Sequence, residues 1–279
     1  MFRTALAACA VALMACTATA QTLDRIKETG ELRLGFRTDA PPLSYADDQG
    51  RPSGFTPVVC SQVAQGLANG LQLEDLNVTF VPVTAADRFD KIVAGEIDLL
   101  CGAATITLRR LAEVDFSLPV YVDGSAAMLP TGATADLATF AGKKVGVRKD
   151  TTTQETLTNT LTAAGIDAEV VAVDRHPDGV QMLLDGTLAA YFGDQSILLG
   201  LDASMDTENK VEVMDRLLTI EKQGLAMQRG DADFRLAVDS ILSGMYNAGM
   251  MGQIFRETFP GANPGLALQA LYLVAPHIE

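Results

Sequence analysis

Histidine is scarce in this sequence of 279 residues, with His176 and His277 its two copies. Neither stands in a His-Glu-x-x-His run, and Gly-x-Ser-x-Gly and phosphate-cradling glycine loops are missing as well. These absences remove the common metallohydrolase, serine-hydrolase and nucleotide-binding signatures, so no catalytic residue, metal or cofactor is expected. Basic residues are few, 21 Lys and Arg against 35 Asp and Glu, and such a surface is a poor partner for nucleic acid or anionic membrane. Beyond residue 20 no apolar run is long enough to span a bilayer. Low-complexity stretches, charge blocks and Pro-rich linkers are absent too, so domain boundaries must come from motifs.

What is present begins with an export signal. One positive charge (Arg3), an apolar run from Ala5 to Ala15 and Ala18-Thr19-Ala20 ahead of Gln21 have the layout of a secretory signal peptide over residues 1–20. Leu13-Met14-Ala15-Cys16 offers a rival reading, a lipoprotein cleavage box with Cys16 lipidated. Cleavage before Gln21 leaves about 259 residues with a net charge of about −15, enough for one large or two modest domains. Cys60 and Cys101 are the cysteines that stay in the mature chain, and in an oxidising compartment they are expected to pair. Closing that loop of about 40 residues stabilises by roughly 4 kcal/mol in the chain-entropy model; two separate buried thiols are the alternative.

Short apolar runs alternate with helix-period stretches, which predicts an α/β fold with largely parallel strands. Strands are read at Leu32–Phe36, Val78–Val83, Ile97–Cys101, Lys144–Val147, Glu169–Val173 and Ala189–Phe192. Helices are read at Pro57–Leu67, Asp87–Ala94, Thr152–Ala164 and Pro177–Asp185, with Thr56 as a cap and Gly95, Gly165 and Gly186 as left-handed C-caps. After Gly224 the pattern turns mostly helical. Two internal echoes bear on architecture. Leu34-Gly35-Phe36-Arg37-Thr38-Asp39 and Val145-Gly146-Val147-Arg148-Lys149-Asp150 share one pattern, and the stretches from Gly95 to Gly102 and from Gly186 to Gly193 share another. Repeated in the same order, they predict two similarly built lobes aiming strand ends at a shared cleft.

The stretch Gly102-Ala103-Ala104-Thr105-Ile106-Thr107-Leu108-Arg109-Arg110 is the richest in chemistry. A small-residue strand end exposes backbone, a threonine offers N–H and hydroxyl, and an arginine one turn into a helix capped by Thr107 offers a fork for two oxygens. From the residues alone, Arg110 is either a carboxylate anchor or a surface ion-pair partner, and Arg109 points elsewhere.

Arg25-Ile26 to Leu34, Pro41-Pro42-Leu43-Ser44-Tyr45, Gly54-Phe55, Gly95-Glu96-Ile97-Asp98, Thr105 to Arg110, Val114-Asp115-Phe116-Ser117, Gly142 to Val147 and Thr151-Thr152-Thr153 together resemble the family 3 extracellular solute-binding proteins of amino-acid ABC transporters. The likeness covers nearly the whole mature chain in order. It implies a two-lobed periplasmic-binding-protein fold of type II, with Arg110 and Thr105 on the ligand α-carboxylate, backbone N–H near Thr152 helping from the second lobe, and Asp194 on the α-ammonium. Within the family the chain is most similar to the glutamate/aspartate-binding branch, which adds Arg37, Arg88 and His176 near the ligand side chain. Three arginines against Asp194 also leave surplus positive charge, which calls for an acidic ligand. Structural roles stand beside these: Arg37 paired with Asp39, Arg88 with Asp87 or Asp90, His176 as a helix cap, and Asp194 as the N-cap of the next helix. Ala85 and Ala103 stand where that branch tends to have serines, although Ala103 remains among the expected ligand-lining positions. Asp150 replaces a usual glycine, so its loop is distorted or its charge turned outward.

The resemblance implies lobe 1 over 21–122 with 223–279 and lobe 2 over 123–222, crossing near Tyr121–Ser125 and Thr219–Gln223. It further implies a periplasmic monomer that closes on an amino acid, glutamate, aspartate or their amides, and is then recognised by a membrane permease. An enzyme on the same fold, dehydratase-like and using a carboxylate pair, and a soluble sensory component are the competing classes.

Overall fold

The computed structural model describes residues 22–207 and 209–274. The expectations placed on residues 1–20, Cys16, Gln21 and His277 lie outside them.

Helix α1 (Thr22–Thr29) leads into β1 (Glu31–Arg37), whose Leu32, Leu34 and Phe36 are buried. A small antiparallel sheet follows, β2 (Asp39–Ala40), β3 (Ser44–Ala46) and β4 (Pro52–Ser53), then α2 (Phe55–Leu71), β5 (Asn77–Val83), α3 (Arg88–Val93), β6 (Leu99–Cys101), α4 (Leu108–Leu111) and β7 (Val114–Asp123). After Gly124 the chain enters a second unit: β8 (Ser125–Pro130), β9 (Lys144–Arg148), α5 (Thr152–Ala163), β10 (Glu169–Val173), α6 (His176–Leu184), β11 (Ala190–Asp194), α7 (Gln195–Ser204) and β12 (Val211–Val213). It returns through β13 (Glu221–Gln228) to α8 (Ala232–Asn247), α9 (Met250–Thr258) and α10 (Leu266–Leu273), which pack on α2 and β7. Among the described residues no helix is long and apolar enough to cross a membrane.

The two main sheets have the orders β5-β1-β6-β13-β7 and β10-β9-β11-β8-β12. In each, an echo strand sits between two parallel neighbours: β1 between β5 and β6, β9 between β10 and β11. The echo glycines have a packing reason. A Cβ on Gly35 would stand 2.4 Å from Ile97 Cδ1, and one on Gly146 would stand 2.3 Å from Leu188 Cδ1, so each strand needs glycine where the chain ahead of the next strand crosses it. Gly95, Gly165 and Gly186 take φ of 68°, 65° and 73° after their helices, as the C-cap reading requires.

Each sheet is half antiparallel, because β7 with β13 and β8 with β12 join from the other side. The strip Leu225–Gln228, expected to begin a helical region, belongs to β13. Its alternation is broken by register shifts around Gly224, and helix resumes at Ala232. The Thr56 cap is also corrected: α2 starts two residues earlier, at Phe55 behind Gly54, and the Thr56 hydroxyl donates instead to Leu43 O at 2.8 Å and Cys101 O at 3.0 Å. Cys60 on α2 and Cys101 at the end of β6 form the expected disulfide.

Candidate functional site

β6 delivers the chain into the loop 102–106, and Thr107 caps α4 by accepting from Arg110 N at 3.2 Å. That cap turns Arg110 inward: its side chain is buried, donates to Thr105 O at 2.8 Å and lies over the Phe89 ring at 5.1 Å. Opposite, Thr151 caps α5, which places Thr152 and Thr153 at the helix start. The hydroxyls of Thr105 and Thr152 are 3.3 Å apart across the cleft, and both donate to Glu221 Oε2, at 2.6 and 2.8 Å. Asp194 occupies the N-cap position of α7 without capping it. Its carboxylate accepts instead from Thr153 Oγ1 at 3.3 Å and from Gln223 Nε2 at 2.7 Å.

The echo strands end in a second constellation. Arg37 and Arg148, at matching places in the repeat, both bind Asp39: Arg37 Nη2 to Oδ1 at 2.6 Å, Arg148 Nε to Oδ2 at 2.9 Å, all three buried. Burial alone would raise the Asp39 pKa, but the Arg37 and Arg148 guanidiniums outweigh it and hold the carboxyl well below the usual range. Of the two readings of Arg37, the Asp39 partnership is therefore present in the fold. Arg88 is paired with neither Asp87 nor Asp90; Asp87 binds Lys91 and the Thr84 turn. Arg88 is buried, donates to Ala85 O at 2.5 Å and, across the cleft, to Asp150 O at 3.3 Å, and its Nε has no acceptor. Burial, together with repulsion from Arg37, Arg110 and Arg148, pushes its pKa well down. His176 opens α6 with its ring fully enclosed, Nδ1 3.0 Å from Tyr191 OH, and burial lowers its pKa to about 3, so the ring is neutral. Ala103 is half-buried in the site loop. Asp150 takes φ 60° with its side chain exposed, so its departure from glycine is met both by unusual backbone and by an outward charge.

Acidic groups are more numerous here than the sequence led us to expect. Asp123, at the crossing, accepts from Gly124 N at 2.9 Å and from the Ser196 hydroxyl. Glu221, at the return crossing, takes Thr219 Oγ1 at 2.7 Å and Ser125 Oγ at 3.2 Å on its other oxygen. Burial and mutual repulsion raise Asp123 to about 6 and Asp194 to about 8. The count of three arginines against Asp194 thus omitted Arg148 on one side and Asp39, Asp123 and Glu221 on the other. The positive surplus is local, centred on Arg88.

Arg148 was signalled by the echo itself, and Asp39 by its place two residues after Arg37. Glu221, Asp123, Ser125 and Gln223 gave no signal beyond lying at the expected crossings. Arg109 is exposed, as expected, yet it reaches Glu155 of α5 at 2.9 Å. A cavity of about 1060 Å³ opens behind the crossings, lined by Pro42, Tyr45, Tyr121, Leu199 and Phe259; it touches the constellation only through Asp39, Asp123 and Ser196.

Residues 32–261 match the family described as bacterial extracellular solute-binding proteins, family 3. Two relatives share nearly the full length: the L-glutamate/L-aspartate-binding protein of Pseudomonas aeruginosa, 27% identical over 92% of this chain and 86% of that one, and the glutamate/aspartate import solute-binding protein of Escherichia coli K12, 24% identical over 90% and 83%. Among solved structures, the solute receptor for L-cysteine of Neisseria gonorrhoeae superposes with a TM-score of 0.73 at 27% identity, covering 85% of this chain and 93% of that one. An ancestral arginine-binding protein bound to arginine does so at 0.74 and 25%, covering 82% and 98%. The chain belongs to the family 3 solute-binding proteins and has their two-lobed periplasmic-binding-protein fold.

Proposed function

We propose that this family 3 solute-binding protein captures an amino acid between its lobes outside the cytoplasm and hands it to the permease of an ABC transporter. Lobe 1 is taken as 21–122 with 223–279 and lobe 2 as 123–222. The observation that carries the proposal is convergence: Arg110 and Thr105 from one lobe meet Thr152 and Asp194 from the other, with the two threonine hydroxyls 3.3 Å apart. A zwitterion needs that combination, a guanidinium and hydroxyls for one end and a carboxylate for the other. Because the groups lie on both sides of the cleft, a ligand bridging them favours the closed state, the form a permease recognises.

The ligand is glutamate or aspartate, with their amides as the nearest competitors. Arg88 supports this, since its buried Nε–H has no acceptor and a side-chain carboxylate supplies one. The names of the Pseudomonas and Escherichia relatives point the same way. The protein acts by binding and release without turnover, as the binding-protein names of its relatives suggest. A thermal-shift screen of the twenty amino acids on the mature protein, with recovery of the bound compound unchanged, tests the reading. Glutamate or aspartate is expected to stabilise most, and Arg110→Ala to abolish binding of every amino acid. Unchanged affinity in that variant refutes the site, and stabilisation by basic amino acids alone refutes the ligand.

A further inference from the structure

Glu221 holds the very hydroxyls assigned above to the ligand carboxylate. Its Oε2 accepts from Thr105 and Thr152, one from each side of the cleft, while Oε1 is held by Thr219 and Ser125 at the crossings. Arg110 feels it as a nearby negative charge. A carboxylate between these two threonines and close to this arginine has the surroundings proposed for an amino-acid α-carboxylate. We infer that Glu221 is an internal competitor for the carboxylate seat, occupying it before ligand arrives and tying the lobes together until it is displaced.

The two anchors on Oε1 explain how displacement occurs without loss of the residue from the site. Glu221 can turn about its Oε1 contacts, releasing Oε2 from Thr105 and Thr152 while Thr219 and Ser125 keep the charge solvated by hydroxyls. Ser125 Oγ also lies 3.0 Å from Thr153 Oγ1, which in turn donates to Asp194 at 3.3 Å. The displaced carboxylate is therefore linked through one short hydroxyl chain to the proposed ammonium acceptor. In this arrangement the protein binds only ligands whose carboxylate wins the exchange, and Glu221 sets both the affinity and the lower limit on how good a carboxylate ligand must be.

This inference rests on the binding reading above and has a distinguishable test. Calorimetric titration uses the amino acid that most stabilises the wild-type protein, against Glu221→Gln, which keeps the shape and removes the charge. If the seat is filled about nine-tenths of the time, the variant binds about tenfold more tightly, and scattering of its ligand-free form gives a larger radius of gyration than wild type. Should Glu221→Gln fail to fold, Glu221→Asp keeps the charge but is one methylene too short to span from Thr219 and Ser125 to Thr105 and Thr152, and tighter binding is again expected. Equal or weaker binding in the folded variant overturns the proposal, and weaker binding makes Glu221 an acceptor for the ammonium instead. Loss of binding in Arg110→Ala together with unchanged binding in Glu221→Gln sinks only this inference; no binding of any amino acid by the wild type sinks the underlying reading and this one with it.

Discussion

Asp39→Asn is the most informative single perturbation of the fold. Asp39 is the common anion of Arg37 and Arg148, with side chains 2%, 3% and 5% exposed for Arg37, Asp39 and Arg148. Asparagine keeps the volume and one acceptor oxygen but faces two buried guanidiniums with no charge, and its amide N–H meets donors on at least one side. Breaking a buried pair by removing one partner costs about 3–5 kcal/mol, and at about 2–4 °C per kcal/mol for a chain of this size the lower bound is a drop of roughly 6–12 °C. Urea titration and scanning calorimetry read both quantities. Arg148→Met costs less, because Asp39 keeps Arg37, and adding it to Asp39→Asn restores part of the loss by removing one stranded cation. The pH sign follows from the depressed pKa of Asp39: its contribution is complete above the ordinary carboxylate range and is lost as pH falls below it. The gap between wild type and variant is therefore constant from pH 5 to 8. A variant within about 0.5 kcal/mol of wild type, the scatter of ordinary surface changes, would refute the reasoning.

Other expectations follow from the same geometry. Asp194 and Asp123 have native pKa values raised to about 8 and 6, so the native state holds more protons than the unfolded one, and stability falls as pH rises from about 4 to 8. Binding an ammonium at Asp194 then expels a proton, so affinity climbs over that window and calorimetry in buffers of different ionisation heat detects the release. Arg88→Met removes a buried cation with an unsatisfied Nε; affinity for glutamate is expected to fall about 10- to 100-fold, the worth of a hydrogen bond to a charged group, while thermal melts show stability unchanged or raised. Reducing the Cys60–Cys101 bond, which closes a separation of 41 residues, should cost roughly 4 kcal/mol in denaturant titration.

How far the sequence spoke depended on how local each signal was. The parallel strands β1, β5, β9 and β10 are short apolar runs with glycine punctuation, and they were readable as such. The antiparallel strands β7 and β13 were not, because Pro119 and the irregularity at Gly224 spoil alternation and their neighbours lie a hundred residues away. Arg110, Thr105 and Thr152 stood in recognisable motifs, Asp194 was implied by the family resemblance alone, and the fold brings their lobes together. Glu221 could not be singled out among 35 acidic residues, since its meaning lies in donors from four separate segments. The charge argument failed in part for the same reason: Arg37 and Arg148 come to share one aspartate only once both strands are built.

Cys101 is the last residue of β6 and the root of the loop that carries Thr105 and Arg110. Its sulfur is bonded to α2, and its carbonyl accepts the hydroxyls of Ser44 at 2.8 Å and Thr56 at 3.0 Å. The loop thus leaves a strand end held on three sides and enters a capped helix after a few residues. A segment so confined has little conformational freedom to lose when a ligand docks, so the ordering entropy of binding falls on the relative motion of the lobes. Affinity should accordingly respond more to substitutions at the crossings, which set that motion, than to changes of loop flexibility beside Arg110.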